Sequence, residues 1–502
     1  MRRLRAWSLL MLVCACEPAS SGRAGLVCQS DRDCDGLICL AAAASSPADL
    51  ANWPLVCAAP SGGHAAGVAC AESAECDHGL CLLAGACARS CAAADDCEPT
   101  QRCQAAYART ASGDALGQVR ACVAEVDLPA DARVELAVRV ALVQAGRSTL
   151  TLPPSAAQTL YVLEHLDDHT WPIPSATSRC RPPLCPLKLS DPADAHTLFD
   201  VTAQAELADG PDNAIAQSSY VDPLNIWIPN GPRVAAQARS YELQVESTVA
   251  GRVLVSTLSR PTRGSRLNLN LYYVGAAGLV PEADRGVPVL RAALDEVERI
   301  FEPSGVYLGD VRQIFVPGAL PARGSGLPNH EVSAGFQTLQ RQYQVLPELP
   351  ELFKLSAGAA NVALDVFFVA NIASLGAGDI GGISGGTPLA FGMHGKPGSG
   401  IVIAADMFVR EGLSAALGRT LAHELGHALG LFHTTEVDGL VAEPLPDTPT
   451  CALTRDTNRD GSLDAAECAA DGGDNLLFPT TDAGTQLTHD QCDVLQRALI
   501  LL

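Results

Sequence analysis

Apolar and polar positions alternate through residues 126–262, as in Val134-Glu135-Leu136-Ala137-Val138-Arg139-Val140 and Tyr241-Glu242-Leu243-Gln244-Val245-Glu246-Ser247. Alternation with period 2 puts successive side chains on opposite faces of an extended strand. Prolines and glycines punctuate these runs, so the stretch predicts short strands folded as a β-sandwich. Beyond residue 262 a second pattern appears. Apolar-rich runs at 267–274, 306–316, 362–370 and 401–404 predict strands. Val289, Leu290, Leu294, Val297 and Ile300 fall on one face of a helix over 287–301. A second helix is expected over 415–429, N-capped by Ser414, stopped by Gly430, and carrying Leu421, Leu425 and Leu429 as an apolar stripe. Thr488-His489-Asp490-Gln491 has the form of a capping box and predicts a last helix running to Leu502. Strands mixed with helices make residues 263–502 an α/β (α+β) domain.

The N-terminal quarter is organised by cysteine. Of 19 cysteines, 12 lie between Cys28 and Cys122. Cys28, Cys34 and Cys39 have the spacing C-x5-C-x4-C, repeated by Cys70, Cys76 and Cys81; Cys91, Cys97 and Cys103 follow with C-x5-C-x5-C. Adding Cys57, Cys87 and Cys122 gives three units of four cysteines over 17–125, each able to close two bridges in place of a hydrophobic core. Zinc knuckles are the rival reading. C-x-x-C spacing is missing and no histidine is well placed, which favours disulfides and an oxidising destination. Residues 1–16 fit an export signal: a basic start, Met1-Arg2-Arg3-Leu4-Arg5, then a short apolar run to Val13. Val13-Cys14-Ala15-Cys16 resembles a bacterial lipobox, which implies acylation of Cys16, an outer-membrane or cell-surface lipoprotein, and membrane contact only through that lipid.

The densest chemistry lies at His423-Glu424-Leu425-Gly426-His427-Ala428-Leu429-Gly430-Leu431-Phe432-His433. On a helix the i,i+4 spacing of His423 and His427 puts two imidazoles on one face, as two corners of a zinc tetrahedron. Glu424 stands beside them as a general base. Gly430, in a left-handed conformation, lets the chain turn and bring His433 in as third ligand, leaving the fourth position open. These eleven residues resemble the extended motif H-E-x-x-H-x-x-G-x-x-H of the metzincin clan of zinc peptidases. The resemblance implies a zinc endopeptidase acting on proteins or peptides through a metal-activated water, with Glu424 carrying the proton. It extends over roughly 266–502 and, from Thr434-Thr435-Glu436, is nearest to the pappalysin type. Metzincins set a methionine turn beneath the zinc; here Asp474-Asn475-Leu476-Leu477-Phe478-Pro479 is the counterpart, with Leu477 in place of the methionine. The clan also places an edge strand beside the cleft, expected at 380–389.

Residues 456–467 fit an EF-hand loop position by position. The calcium ligands expected are Asp456, Asn458, Asp460, the Ser462 carbonyl, Asp464 and Glu467, with Gly461 at the turn and Cys451 and Cys468 as flanking staples. Ser178-Arg179-Cys180-Arg181-Pro182-Pro183 loosely resembles a cysteine switch, and a local Cys180–Cys185 bridge is its alternative. A net charge of −22 without a basic stripe excludes nucleic acid as partner. The competing function is a surface adhesion protein carrying a catalytically inactive metzincin fold, with the N-terminal modules doing the binding.

Overall fold

The computed structural model describes residues 24–502 apart from 36, 42–53, 61, 100, 110–115, 125–134, 156–157, 166–183, 194–195, 201–223, 229–238, 248–249, 261–263, 275–278, 280–285, 317–337, 342–348, 360, 375–380, 390–392, 397, 441, 444 and 481–483. Cys16 and Cys180 lie outside the described residues. The architecture is multidomain, mostly β with few helices, and disulfide-rich at its N-terminal end.

All twelve N-terminal cysteines are bridged, and each unit closes in the same order, first to third and second to fourth. The pairs are Cys28–Cys39 with Cys34–Cys57, Cys70–Cys81 with Cys76–Cys87, and Cys91–Cys103 with Cys97–Cys122. The acidic residue before each middle cysteine has a local task. Asp33, Glu75 and Asp96 each accept backbone N–H groups three and four residues back, from Ser30 and Gln29, Glu72 and Ala71, and Ala93 and Ala92. The third unit ends in a long antiparallel hairpin of Gln101–Arg109 and Leu116–Ala124.

Two four-stranded antiparallel sheets follow. One contains Gly146–Ser155, Leu184–Asp191, His196–Asp200 and Arg239–Ser247; the other Glu135–Val143, Gln158–His165, Leu224–Ile228 and Gly251–Arg260. Alternate residues from both, among them Leu150, Leu152, Leu163, Leu243, Val245, Val253 and Val255, bury themselves between the sheets. This is the sandwich that the alternation predicts.

The C-terminal region is built on a five-stranded sheet in the order Tyr307–Phe315, Arg266–Tyr273, Leu364–Val369, Gly400–Ala404, Gly382–Ser384. The first four strands are parallel and the short last one, at the edge, is antiparallel. On one face lie the helices Gly286–Phe301 and Ser414–Ala428, with Val297, Ile300, Leu417, Leu421 and Leu425 buried against Leu269, Leu271, Val366 and Ile403. On the other face Tyr272, Phe367, Val369 and Val402 are covered by Leu352 and Phe353 and by three residues of the bridged units, Leu83, Tyr107 and Leu116. The cysteine-rich region is therefore part of the C-terminal core rather than a free stalk.

The three regions also meet in buried charge. Glu164 of the sandwich is ion-paired to Arg102 of the third cysteine unit and, at 2.8 Å, to Lys396 of the C-terminal region. Lys396 is only 2% exposed and Glu164 5%. Burial alone would push the Glu164 carboxyl up, but Arg102 and Lys396 hold it below the usual range.

Two local expectations need correction. Ser414 is not the N-cap of the histidine helix: Leu413 occupies that position without a side-chain cap, and the helix spans Ser414–Ala428. The last helix, His489–Arg497, does not reach Leu502. Its final five residues instead return to the sheet, where Leu502 exchanges backbone hydrogen bonds with Arg266 and Leu499, Ile500 and Leu501 are buried. Apolar burial outweighs the helical propensity of that tail.

Candidate metal centre

The histidine helix ends as its glycine requires. Gly430 has φ +109°, the Gly430 N–H donates to the His427 carbonyl at 3.0 Å, and the Leu431 N–H reaches back to the Gly426 carbonyl at 3.0 Å. This pair of bonds is a Schellman termination, and a side chain at residue 430 would be strained there. The chain turns, and His433 comes to face the helix. The three Nε2 atoms converge: His423 to His427 3.1 Å, His427 to His433 3.2 Å, His423 to His433 3.3 Å.

Each ring has its other nitrogen committed to an oxygen. His423 Nδ1 lies 2.8 Å from the Leu476 carbonyl, His427 Nδ1 2.8 Å from the Leu431 carbonyl, and His433 Nδ1 2.9 Å from Glu436 Oε1. Those oxygens accept, so each Nδ1 donates to its oxygen and the three Nε2 atoms are left facing one another. Burial reinforces this, pulling His423 down to about 3 and His427 well below the ordinary imidazole value; the neighbouring rings add to the effect. Three ring nitrogens pointed at one spot suit a cation between them. Ligands of a tetrahedral zinc at about 2.0–2.1 Å stand about 3.3–3.4 Å apart, close to the separations seen. The donor set fits zinc, and Glu436 supplies the outer carboxylate that fixes a ligating ring.

Glu424 is buried beside the triad, 6% exposed. Burial raises its carboxyl to about 8, offset in part by a hydrogen bond from the Ser384 backbone. The edge strand Gly382–Ser384 lies directly against it, so that a Cβ on Gly382 would meet Glu424 Cγ at 2.6 Å. Only glycine lets the strand approach so closely. Beneath the helix Leu477 is fully buried, with its Cδ2 3.2 Å from where a Cβ on Gly426 would sit. It packs against the histidine helix at Gly426.

The loop 456–467 is closed by the Cys451–Cys468 bridge, as expected, and Cys492 remains unpaired. Its acidic side chains organise the loop's own backbone. Asp456 accepts the Arg459 and Gly461 N–H groups, Glu467 those of Thr457, Asn458 and Asp464, and Asp460 that of Ser462. Asn458 and Asp464 cap the following residues in the same way, at Asp460 and Glu467. Among the described residues, the groups of three or more His, Cys, Asp or Glu ligand atoms within 4.8 Å of one another are the histidine triad and three clusters of bridged cysteines. The loop is tied to the metal centre by the Leu463 N–H to the Val437 carbonyl at 2.7 Å, next to Glu436.

The sequence reading missed the parts played by Glu436 and Glu443. Glu436 served only as a marker of subtype, although its place three residues after His433 is a usable signal. Glu443 gave none, because its role depends on contacts between distant segments. Comparison with known protein families and with curated proteins finds no match to this chain.

Proposed function

We propose that the protein is an exported zinc-dependent endopeptidase of metzincin type, pappalysin-like, hydrolysing peptide bonds of extracellular proteins. The observation that carries this is the convergence of three Nε2 atoms beside a buried glutamate. A zinc ion held by His423, His427 and His433 would supply Lewis acidity and bring the pKa of water toward neutrality. Glu424 then takes a proton from the attacking water and returns it to the leaving amine. A nearby cation lowers its raised pKa toward working pH, where a group exchanges protons best. Gly382–Ser384 is an edge strand of the sheet, along which an extended peptide could lie next to Glu424.

Among the described residues there are seven disulfides, which point to an exported or extracellular protein, and no helix long and apolar enough to cross a membrane. Anchoring through an acylated Cys16 completes the proposed placement; mass spectrometry of the mature N-terminal peptide tests it, and an unmodified terminus rejects it. Calcium on Asp456, Asn458, Asp460, Ser462, Asp464 and Glu467 would replace the loop's internal bonds and stiffen the segment holding Glu436.

The decisive experiment is hydrolysis of a quenched-peptide library by the full chain with zinc, with and without calcium. Glu424→Ala is expected to lower turnover by about 10²–10⁴-fold, and a chelator to abolish it. Zinc-loaded protein that cleaves nothing, even after limited proteolysis, would leave the adhesion reading in its place.

A further inference from the structure

Behind the triad lies a closed network of buried polar side chains that touches none of the reacting positions. Gln491, on the C-terminal helix, is its hub and is fully buried. Its Oε1 accepts from Asn475 Nδ2 at 2.9 Å and from the Thr488 N–H at 2.9 Å, while its Nε2 donates to Glu443 Oε2 at 2.7 Å and to Asn475 Oδ1 at 3.3 Å. Both donors and both acceptor sites of the amide are thereby used. The capping box with Thr488 fixes the position of Gln491 on the helix.

The two ends of this network reach the two histidines that sit on different chain segments. At one end Asn475 Oδ1 accepts the Leu477 N–H at 2.9 Å, shaping the turn whose Leu476 carbonyl accepts a hydrogen bond from His423 Nδ1. At the other, Glu443 Oε1 accepts the Phe432 N–H at 3.1 Å, one residue before His433, and Thr448 Oγ1 donates to Glu443 Oε2 at 3.1 Å. The Glu443 N–H adds a bond to the Thr434 carbonyl, one residue after His433. His433 is thus held from both sides by one residue.

We infer that Gln491 and Glu443 are positioning residues for the metal centre, clamping the turn behind His423 and the loop carrying His433 into one rigid frame. This rests on the zinc reading of the triad. The physical basis is that a third ligand arriving from a loop, unlike two ligands one turn apart on a helix, has no secondary structure to hold it. Groups that orient ligands from outside typically change metal affinity by about 10–100-fold when removed.

The test is cobalt(II) binding to the full chain, read by competition with a chelator and by the visible absorption of the bound ion. Gln491→Met keeps the volume and removes all four hydrogen bonds. Glu443→Gln keeps the shape, but either orientation of its amide turns an NH2 toward one of the partnering donors. Both are expected to weaken cobalt binding by about 10–100-fold and to alter the absorption band. Thr448→Val, which removes one hydroxyl at the far side of Glu443, folds without difficulty on size grounds and is expected to weaken binding only several-fold. Parent and variants with equal affinity and identical bands would overturn the positioning role alone, even where the variants unfold at lower temperature. No cobalt uptake by the parent would overturn the metal centre and this inference together.

Discussion

The cysteine-rich units and the C-terminal sheet region solve the same problem by opposite means. In the second and third units the bridges form compact clusters of their own, Cys70, Cys76, Cys81 and Cys87 in one and Cys91, Cys97, Cys103 and Cys122 in the other, beside a small apolar cluster of leucine, alanine and valine shared with the first unit. Each closes short loops and so removes conformations from the unfolded chain. The C-terminal region has one staple, Cys451–Cys468, and otherwise relies on a continuous core of leucine, valine, isoleucine and phenylalanine. The contrast stops at their interface. Leu83, Tyr107 and Leu116, on a bridged scaffold, fill the second face of the sheet. The C-terminal region cannot be cut free of its cysteine-rich neighbour without baring that face, so the disulfides stabilise that region at one remove.

The largest test of this coupling is reduction. A bridge closing 11 residues is worth about 2.8 kcal/mol and one closing 25 about 3.5 kcal/mol by loop entropy, so losing the six N-terminal bridges removes far more than such units can spare. Mild reductant is expected to unfold residues 24–124 and to raise hydrogen exchange in Leu364–Val369, a strand without a cysteine. Unchanged exchange in that strand would show the regions to be independent. Tyr107→Ala isolates the apolar part: with every bridge intact it should cost about 3–5 kcal/mol and speed exchange in the same strand, by the usual penalty for emptying a buried aromatic site.

The charged junction comes next. Because Arg102 and Lys396 lower the folded-state pKa of Glu164, its contribution is fully present above the unfolded value near 4.5 and is lost as pH falls through the lower folded value. Thermal unfolding of the parent should therefore weaken on acidification below about 4.5 by a component that Glu164→Gln lacks. At neutral pH the substitution should cost about 3–5 kcal/mol, the usual range for a broken buried pair, since it leaves Lys396 buried without its carboxylate. Parallel pH profiles for the two proteins would remove the junction from the account.

How much of this was legible in the sequence follows the range of the interactions. The strands at 267–274, 362–370 and 401–404 and the helix at 287–301 appear within two residues of their expected ends, because period and burial are local signals. The histidine triad was legible for the same reason: one helix, one glycine and one turn fix all three rings. Pairing within the cysteine units was legible as units but not as connectivity, which spacing leaves open. What stayed hidden was contact across the chain. Lys396 in a glycine-rich loop reads as a solvated lysine, and nothing around it announces Glu164, 232 residues earlier. Tyr107 reads as one strand residue among others, and the tail 498–502 reads as helix until the backbone at Arg266, the start of its strand, claims it.

The smallest expected effect bears on the packing of the histidine helix. Leu477 is wholly buried against Gly426, between the two helical histidines, and its carbonyl accepts the Thr434 N–H at 3.1 Å. Methionine is close to leucine in volume and equally apolar, but unbranched at Cγ, so it can settle into the same space at a cost below about 1.5 kcal/mol. Leu477→Met is therefore expected to leave the unfolding temperature within a few degrees and the cobalt absorption of the centre unchanged. Leu477→Ala, by contrast, opens a cavity worth about 2–5 kcal/mol against the helix at Gly426, between His423 and His427 in the chain. If Leu477 does no more than fill space, the alanine variant will lose stability while its cobalt band stays in place. A shifted band in the alanine variant alone would mean that packing against the helix, as well as the hydrogen bonds behind, sets where the rings stand.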